Sequence, residues 1–258
     1  MSDVRPALAD RVRRKLRSFF MRGELEAYLA TMSAGNPLRG LPVRIVGDAS
    51  ADPTEFFTHY DAFGYWVARQ LVRGNRRRSI LDIGSPKTQN AILSASHDVT
   101  ALVLADCSDS LSAIKYVRHD VTRPLPFSDG AFDCITSTVS LNLVGLGRYG
   151  DRVDADAIPN LIGELSRVAA PQTELFVSLP SGPNLLAYNN HWCFDLEQIQ
   201  RLFQGWQLAE ALADRCSSPK SGVAGTDASR RFVTPDQLPQ LEPGDYRVVF
   251  CNFVRVDN

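Results

Sequence analysis

Acidic residues and one glycine follow short apolar runs in the middle of the chain: Asp82, Gly84, Asp106 and Asp120. Ionised carboxylates only accept hydrogen bonds, so Asp106 is expected to bind two ribose hydroxyls and Asp120 an adenine amino group. Glycine lets the backbone turn tightly, and a following helix can present free N–H groups to a ligand. We therefore expect Asp82 and Gly84 to shape a ligand site. The alternative for each acid is a turn or a helix cap.

These positions belong to a stretch in which apolar runs alternate with helical segments. The predicted strands are 80–84, 99–105, 132–137, 175–179, 206–216 and 246–256, and the predicted helices are 88–96, 155–169 and 195–203, the last capped by Asp195. Such alternation favours an α/β fold with a mainly parallel sheet covered on both faces. Ligands bind such sheets beyond the carboxyl ends of the strands, where the strand order reverses.

The chain before this stretch has a different pattern. Residues 7–33 predict an amphipathic helix with a basic polar face, and 34–54 an irregular connection rich in Gly and Pro. The helix either packs through its apolar stripe or contacts an anionic membrane surface. A second helix, 55–73, is rich in aromatics that pack or line a substrate pocket. We expect an N-terminal extension, 1–54, and one domain, 55–258, with a loop insertion at about 217–245.

Composition narrows the function classes. The chain has 258 residues, 44% of them hydrophobic, and a formal net charge of -1, so nothing global indicates a nucleic-acid partner. The five cysteines form no metal-ligand or disulfide pattern, which favours a reducing compartment and no metal site. The N-terminus is too charged for a signal peptide, and no apolar run is long enough to span a bilayer. We expect a cytoplasmic protein.

Four segments in order carry a family resemblance: LDIGS at 81–85, a D-V-x-x-x-LPF segment from Asp120, FDCITS at 132–137 and ELSRVAAPQTELFVSLP at 164–180. The set resembles the class I S-adenosylmethionine-dependent methyltransferases. The resemblance implies a Rossmann-like, doubly wound, mainly parallel sheet and S-adenosylmethionine as cofactor. It adds Ser85, Val121 and Ser137 to the expected cofactor-binding residues.

A narrower resemblance comes from the segment GLGRYGD at 145–151. It is similar to the signature of a poorly characterised bacterial methyltransferase-like family often associated with surface-glycan genes, and the likeness covers roughly 57–210. The resemblance implies a sugar or other small acceptor, with Arg148, Tyr149 and Asn189 as substrate-binding residues.

Four positions depart from these families. Only Gly84 remains of three glycines expected after the first strand, and Pro86 and Thr88 occupy the other two places. Proline has no N–H and a fixed φ, so the usual backbone cradle cannot form. Asn142 stands in a region where relatives carry His and Glu, and Trp192 where they carry Arg.

Methyl transfer to a hydroxyl needs alignment and a base. His191 is the first candidate, because imidazole can take a proton near neutral pH, and Asp151 is the second. Alternatively, His191 is structural and the 145–151 loop is merely ordered by an Arg–Asp pair. The chain as a whole is then either an active methyltransferase or a degenerate relative serving as a partner in glycan assembly. A nicotinamide enzyme ranks last, because the G-x-G-x-x-G turn is missing.

Overall fold

The computed structural model describes residues 58–105, 113–187, 190–214, 232–237, 240–241 and 246–256, with helical positions at 23, 26 and 30. The chain divides into two compact units, 1–56 and 57–258. The remainder of the expected 7–33 helix, the 34–54 connection, Asp106 and Asn189 lie outside the described residues. Membrane contact by the N-terminal helix therefore stays a prediction.

The second unit is built on an eight-stranded sheet in the order β3-β2-β1-β4-β5-β10-β8-β9. The first five strands in this order are parallel, and β10 runs antiparallel to both β5 and β8. The strands are β1 Ser79–Ile83, β2 Asp98–Val103, β3 Ile114–Arg118, β4 Phe132–Thr138, β5 Ala169–Ser181, β8 Trp206–Asp214, β9 Phe232–Val233 and β10 Arg247–Arg255. The strand order reverses at β1 and β4, so the carboxyl ends of these strands are where a ligand is expected. This is the doubly wound, mainly parallel sheet that the sequence predicts.

Helices cover the sheet, and a hairpin and two 3₁₀ helices connect the strands. The helices are α1 His59–Arg73, α2 Lys87–Ser94, α3 Ala157–Val168 and α4 Leu196–Leu202; the hairpin strands are β6 Leu185–Ala187 and β7 His191–Cys193; the 3₁₀ helices are Leu141–Leu143 and Pro235–Gln237. Two apolar clusters form the core. One contains the buried residues of α3 and α4, and the other contains those of α1.

The first helix shows why this sequence takes this fold. Thr58 caps α1, and its backbone N–H donates to Asp61 Oδ2 at 2.9 Å, which completes a reciprocal capping box. Phe63 and Trp66 recur at helical spacing and are buried against Phe176 and Phe250 of the sheet. Two of the four Phe, Tyr and Trp residues of α1 therefore pack in the core, whereas Tyr60 and Tyr65 are exposed.

Several boundaries differ from the expectations. β3 was not predicted, because it is a short strand at the edge of the sheet that contains the charged residues Lys115 and Arg118. The β6–β7 hairpin was also not predicted. The prediction of a continuous loop at about 217–245 is wrong at 232–237, which form β9 and a 3₁₀ helix. No helix among the described residues is long and apolar enough to cross a bilayer.

Candidate functional site

A cavity of about 380 Å³ opens beyond the carboxyl ends of β1, β2 and β4. Pockets for small organic ligands begin at about this size. Its walls are mostly apolar, and the lining residues used below are Gly84, Leu102, Leu104, His119, Val121 and Leu143. We call this the first cavity. It lies where the reversed strand order predicts a ligand.

Gly84 shapes the turn after β1. Its φ of +73° is in the left-handed region, and a Cβ there would lie 2.7 Å from the Cβ of Ser140. The hydroxyl of Ser140 lies 2.9 Å from the Gly84 carbonyl oxygen, to which it can donate. Only glycine fits this close approach without strain. The sequence prediction that Gly84 turns the chain at the site is consistent with this geometry.

Val139 follows β4 and forms part of the cavity wall. Its φ of 46° is a strained conformation for a residue branched at Cβ. Its N–H donates to the carbonyl oxygen of Ser178 on β5 at 3.0 Å, which holds the strained backbone in place. Backbone strain of this kind is concentrated at functional sites.

Asp82 lies behind the cavity wall. It is 1% exposed, and its Oδ1 accepts hydrogen bonds from the Ser85 N–H at 3.1 Å and from Asn90 Nδ2 at 3.0 Å. Its Oδ2 accepts a bond of 2.7 Å from the Thr136 hydroxyl. Burial raises the pKa of Asp82 above its usual value, and these hydrogen bonds only partly oppose that effect. The carboxyl group of Asp82 therefore links β1 to β4 and to α2 through hydrogen bonds.

Three other expected cofactor residues are also held by protein partners. The carboxylate of Asp120 accepts hydrogen bonds from the N–H and hydroxyl of Thr122 and, through its other oxygen, from the Arg152 N–H at 3.2 Å. Burial opposes ionisation of Asp120, but these bonds outweigh it and its pKa lies below the usual value. Ser137 donates to the Ile83 carbonyl at 2.8 Å, and Ser85 accepts from Thr138. Of the expected cofactor residues that the structure describes, only Gly84 and Val121 line the first cavity.

Asp133 is another acid near the end of a predicted strand, but it lies at the amino-terminal end of β4, away from the first cavity. It is the second residue of β4, and its Oδ1 accepts from the Ser79 N–H at 3.0 Å. Strand polarity explains the difference, because the carboxyl end of β4 is Thr138.

The 145–151 loop closes on the side chain of Asp151. Its Oδ2 accepts from the N–H groups of Gly145 at 2.9 Å and Gly147 at 3.3 Å, and its Oδ1 accepts from the Tyr149 N–H at 3.2 Å. Arg148 does not pair with Asp151 but donates to the Asn190 side chain. The loop is therefore ordered by an acid bound to backbone groups, and not by the Arg–Asp pair that the alternative interpretation of the sequence proposed.

A second, smaller cavity of about 160 Å³ adjoins the first. The two share four wall residues: Tyr60, Val139, Leu143 and Tyr149. Arg148, His191 and Asn142 line the second cavity. The His191 ring packs edge-on against Tyr246, with centroids 4.9 Å apart. Burial, together with the positive charge of Arg148, lowers the pKa of His191, so its imidazole is neutral near pH 7.

Sequence reasoning missed the polar residues that face these cavities without partners. His119 lines the first cavity, and within the described part of the chain its buried Nε2 has no hydrogen-bond partner. Asn142 lines the second cavity, and neither its Oδ1 nor its Nδ2 has a partner among the described residues. His119 precedes the acid that drew attention in the sequence, and Asn142 was noted only as a loss of titratable chemistry. Among the described residues, no group of His, Cys, Asp or Glu is arranged to hold a metal ion.

Comparison with solved structures defines the class of fold as that of the class I methyltransferases. The 1,6-didemethyltoxoflavin-N1-methyltransferase of Burkholderia thailandensis, crystallised with 1,6-didemethyltoxoflavin and S-adenosylhomocysteine, matches with a TM-score of 0.54. It is 14% identical, and the match covers 99% of this chain and 94% of that one. The N-methyltransferase NodS of Bradyrhizobium japonicum WM9 matches with a TM-score of 0.50 at 13% identity, over 76% of this chain and 98% of that one.

The chain belongs to the family described as "Caenorhabditis protein of unknown function, DUF268", whose model matches residues 87–229. The matched span includes the 145–151 loop, Asn142 and His191. A search of curated proteins gives no match. The family description assigns no activity, so the expected association with surface glycans stays a prediction.

Proposed function

We propose that this protein is an S-adenosylmethionine-dependent methyltransferase that acts on a small acceptor. One observation carries the proposal: the first cavity, at the reversal of the strand order, shares a wall with a second cavity lined by the polar side chains of Asn142, Arg148 and His191. A donor and an acceptor held in adjoining spaces can meet across that wall, and alignment is the main requirement of a direct displacement. The crystallised complex of the Burkholderia thailandensis enzyme with S-adenosylhomocysteine supports the choice of cofactor.

The first cavity has the chemistry to hold an adenosyl group. Leu102, Leu104 and Val121 offer apolar surface to a flat base. The unpartnered Nε2 of His119 can exchange a hydrogen bond with a polar edge of the ligand. Gly84 permits close approach of the backbone, since no side chain projects there.

Pro86 limits how this loop can bind the cofactor. It has no N–H, and the nearby Ser85 N–H already donates to Asp82. Affinity must therefore come from the cavity walls and from His119 more than from a cradle of backbone N–H groups. We expect weaker cofactor binding than three glycines would support.

When bound, S-adenosylmethionine supplies an electrophilic methyl group, and a hydroxyl acceptor must lose its proton as it is methylated. His191 is the proposed base, because it lines the second cavity and its lowered pKa keeps it neutral and able to accept a proton. Asp151 is less suited to this task, because its two oxygens already accept three backbone hydrogen bonds. A sugar hydroxyl is the proposed acceptor group, and Arg148 and Tyr149 lie at the same cavity to contact it.

Titration calorimetry with S-adenosylmethionine and S-adenosylhomocysteine tests the cofactor. We expect Val121→Arg to fill the first cavity and lower the affinity by about tenfold or more, since it introduces a buried charge. Val72→Arg is the matched control, because Val72 is 75% exposed on α1, and it should bind as the wild type does. Absence of heat from folded wild-type protein at millimolar ligand would refute the proposal and favour the degenerate partner protein.

A further inference from the structure

The feature that the proposed function leaves unexplained is Asn142. It is the central residue of the 3₁₀ helix Leu141–Leu143 and is 1% exposed, and among the residues that the structure describes neither its Oδ1 nor its Nδ2 has a hydrogen-bond partner. Burying an amide without partners costs stability, and the large majority of buried polar side chains in proteins have partners. Asn142 lines the second cavity, so the group that completes its hydrogen bonds can come from a ligand there.

The surroundings of Asn142 restrict the charge of that ligand. The aromatic residues of the second cavity are His59, Tyr60, Tyr149, His191 and Tyr246. Arg148 lies at the exposed rim, with its guanidinium carbon 5.6 Å from the centroid of the Tyr149 ring. Within the part of the chain that the structure describes, no Asp or Glu lines this cavity. A cation entering it would lose hydration and meet Arg148 without a carboxylate to pair with.

The geometry of an amide restricts the ligand further. Asn142 holds a donor and an acceptor side by side on one rigid plane. Its best partner presents an acceptor and a donor at the same spacing, as neighbouring sugar hydroxyls or the C=O and N–H of a lactam do. A site with buried polar groups rejects analogues that leave those groups unpaired.

We propose that Asn142 is the specificity-determining residue of the acceptor site, a proposal that rests on the proposed methyl transfer. The acceptor is an uncharged or anionic molecule with a hydrogen-bond donor beside an acceptor, and ammonium acceptors are excluded. The two cavities adjoin at Val139 and Leu143, so an acceptor bound to Asn142 lies next to the proposed cofactor cavity.

Stability gives the first test, and it needs no acceptor. Asn142→Leu replaces an unpartnered amide by an apolar group of similar size, so the midpoint of thermal unfolding should be unchanged or rise by about 2–4 °C. Asn90→Leu is the matched control: Asn90 is equally buried, but its Nδ2 donates to Asp82, so its loss should lower the midpoint. A comparable fall in both variants would show that Asn142 supports the fold, and would overturn the proposal.

Binding gives the second test, using full-length protein saturated with S-adenosylhomocysteine. The probes are methyl β-D-glucopyranoside, glucuronate, uracil and histamine, each followed by ligand-observed NMR. We expect a hydroxylated probe or uracil to bind, and Asn142→Leu to weaken that binding by about 10- to 100-fold, the loss of two neutral hydrogen bonds. S-adenosylhomocysteine should bind the variant as it binds the wild type.

The outcomes separate the two proposals. Binding of the glucoside or glucuronate identifies a sugar as the source of the recognised group, and binding of uracil identifies a lactam. Binding of histamine, failure of every uncharged and anionic probe, or equal binding by Asn142→Leu would overturn the acceptor proposal while the cofactor still binds. Failure of S-adenosylhomocysteine to bind wild-type protein would refute the proposed function itself, and the acceptor role with it.

Discussion

Two neighbouring regions of the protein treat buried polar groups in opposite ways. At the corner between β1 and α2, the carboxyl group of Asp82 accepts three hydrogen bonds from Ser85, Asn90 and Thr136. In the second cavity, the amide of Asn142 has no hydrogen-bond partner in the part of the chain that the structure describes. Both side chains are 1% exposed, so burial alone does not separate them. The carboxyl group of Asp82, whose hydrogen bonds are made within the protein, fixes the backbone around the site. The amide of Asn142 is available to a ligand.

The 145–151 loop resembles the region around Asp82, because the carboxylate of Asp151 accepts three backbone hydrogen bonds. Substitution of Gly145 in this loop should have the largest effect on stability. Its φ is +80°, and a Cβ would meet the Ala157 Cβ at 2.7 Å and lie closer still to the Asp154 carbonyl oxygen. Gly145→Ala should lower the free energy of unfolding by about 3 kcal/mol, measured by urea denaturation.

Gly163→Ala is its matched control. Gly163 lies exposed on α3, and a Cβ added there would meet no neighbouring atom within 4 Å, so the alanine should stabilise the protein by about 0.5–1 kcal/mol. Equal effects of the two alanines would show that the loop is not as tightly fitted as the structure indicates.

Asp151 should show the next largest effect. Asp151→Ala removes the acceptor of three loop N–H groups and should cost about 2 kcal/mol of stability. Asp156→Ala is the control, since Asp156 makes no side-chain cap bond to α3, and it should change stability by less than about 0.5 kcal/mol. If Asp151→Asn kept full stability and cofactor affinity but abolished turnover, Asp151 would be a catalytic base and not a loop residue.

The stability that the region around Asp82 contributes should depend on pH. Its pKa is raised in the folded protein, so the folded state binds its proton more tightly than the unfolded chain does. The contribution of this group to stability is present below the unfolded pKa of about 3.9 and is lost as pH rises through the folded pKa. Asp82→Asn has no such proton. Its free energy of unfolding relative to that of the wild type should therefore increase with pH, by about 1.4 kcal/mol for each unit by which the pKa of Asp82 in the folded protein exceeds that in the unfolded chain.

Denaturation of both proteins between pH 4 and pH 8 measures this difference. A difference that falls with pH would mean that hydrogen bonding to the carboxylate outweighs its burial. A constant difference would mean that Asp82 titrates alike in the folded and unfolded states.

These contrasts show what sequence alone could predict. The alternation of strands and helices and the turn at Gly84 follow from local periodicity and turn chemistry, and a mainly parallel α/β fold was predicted on that basis. The doubly wound, Rossmann-like arrangement was implied by the family resemblance. The direction in which each carboxylate points was not predicted, because it depends on distant partners: Thr136 on β4, which donates to Asp82, lies 54 residues away in the sequence. Asn142 was visible only as a missing titratable group, since its lack of partners depends on packing between distant segments.

The smallest expected effect concerns His191. Burial and then Arg148 lower its pKa, so the acid limb of the pH profile of kcat/KM should lie below the usual imidazole value of about 6.5. The ionisable groups that line the same cavity are His59, Tyr60, Arg148, Tyr149 and Tyr246. Arg148→Gln should move the limb to higher pH but not to the usual value, because burial, the larger cause, remains.

The control for this shift is Arg201→Gln, which removes a positive charge on α4 where it pairs with Glu197. It should leave the profile in place. An acid limb that does not move in Arg148→Gln, or an unaltered rate in His191→Gln, would remove His191 from the proposed role of base.

The most direct measurement is a crystal structure of the protein with S-adenosylhomocysteine. We expect the adenosyl group to lie in the first cavity, with its base against Val121 and within hydrogen-bond distance of His119 Nε2. We also expect the sulfur to face the wall shared with the second cavity at Val139. A ligand bound elsewhere, or an adenosyl group that fills the space beside Asn142, would contradict the assignment of the two cavities.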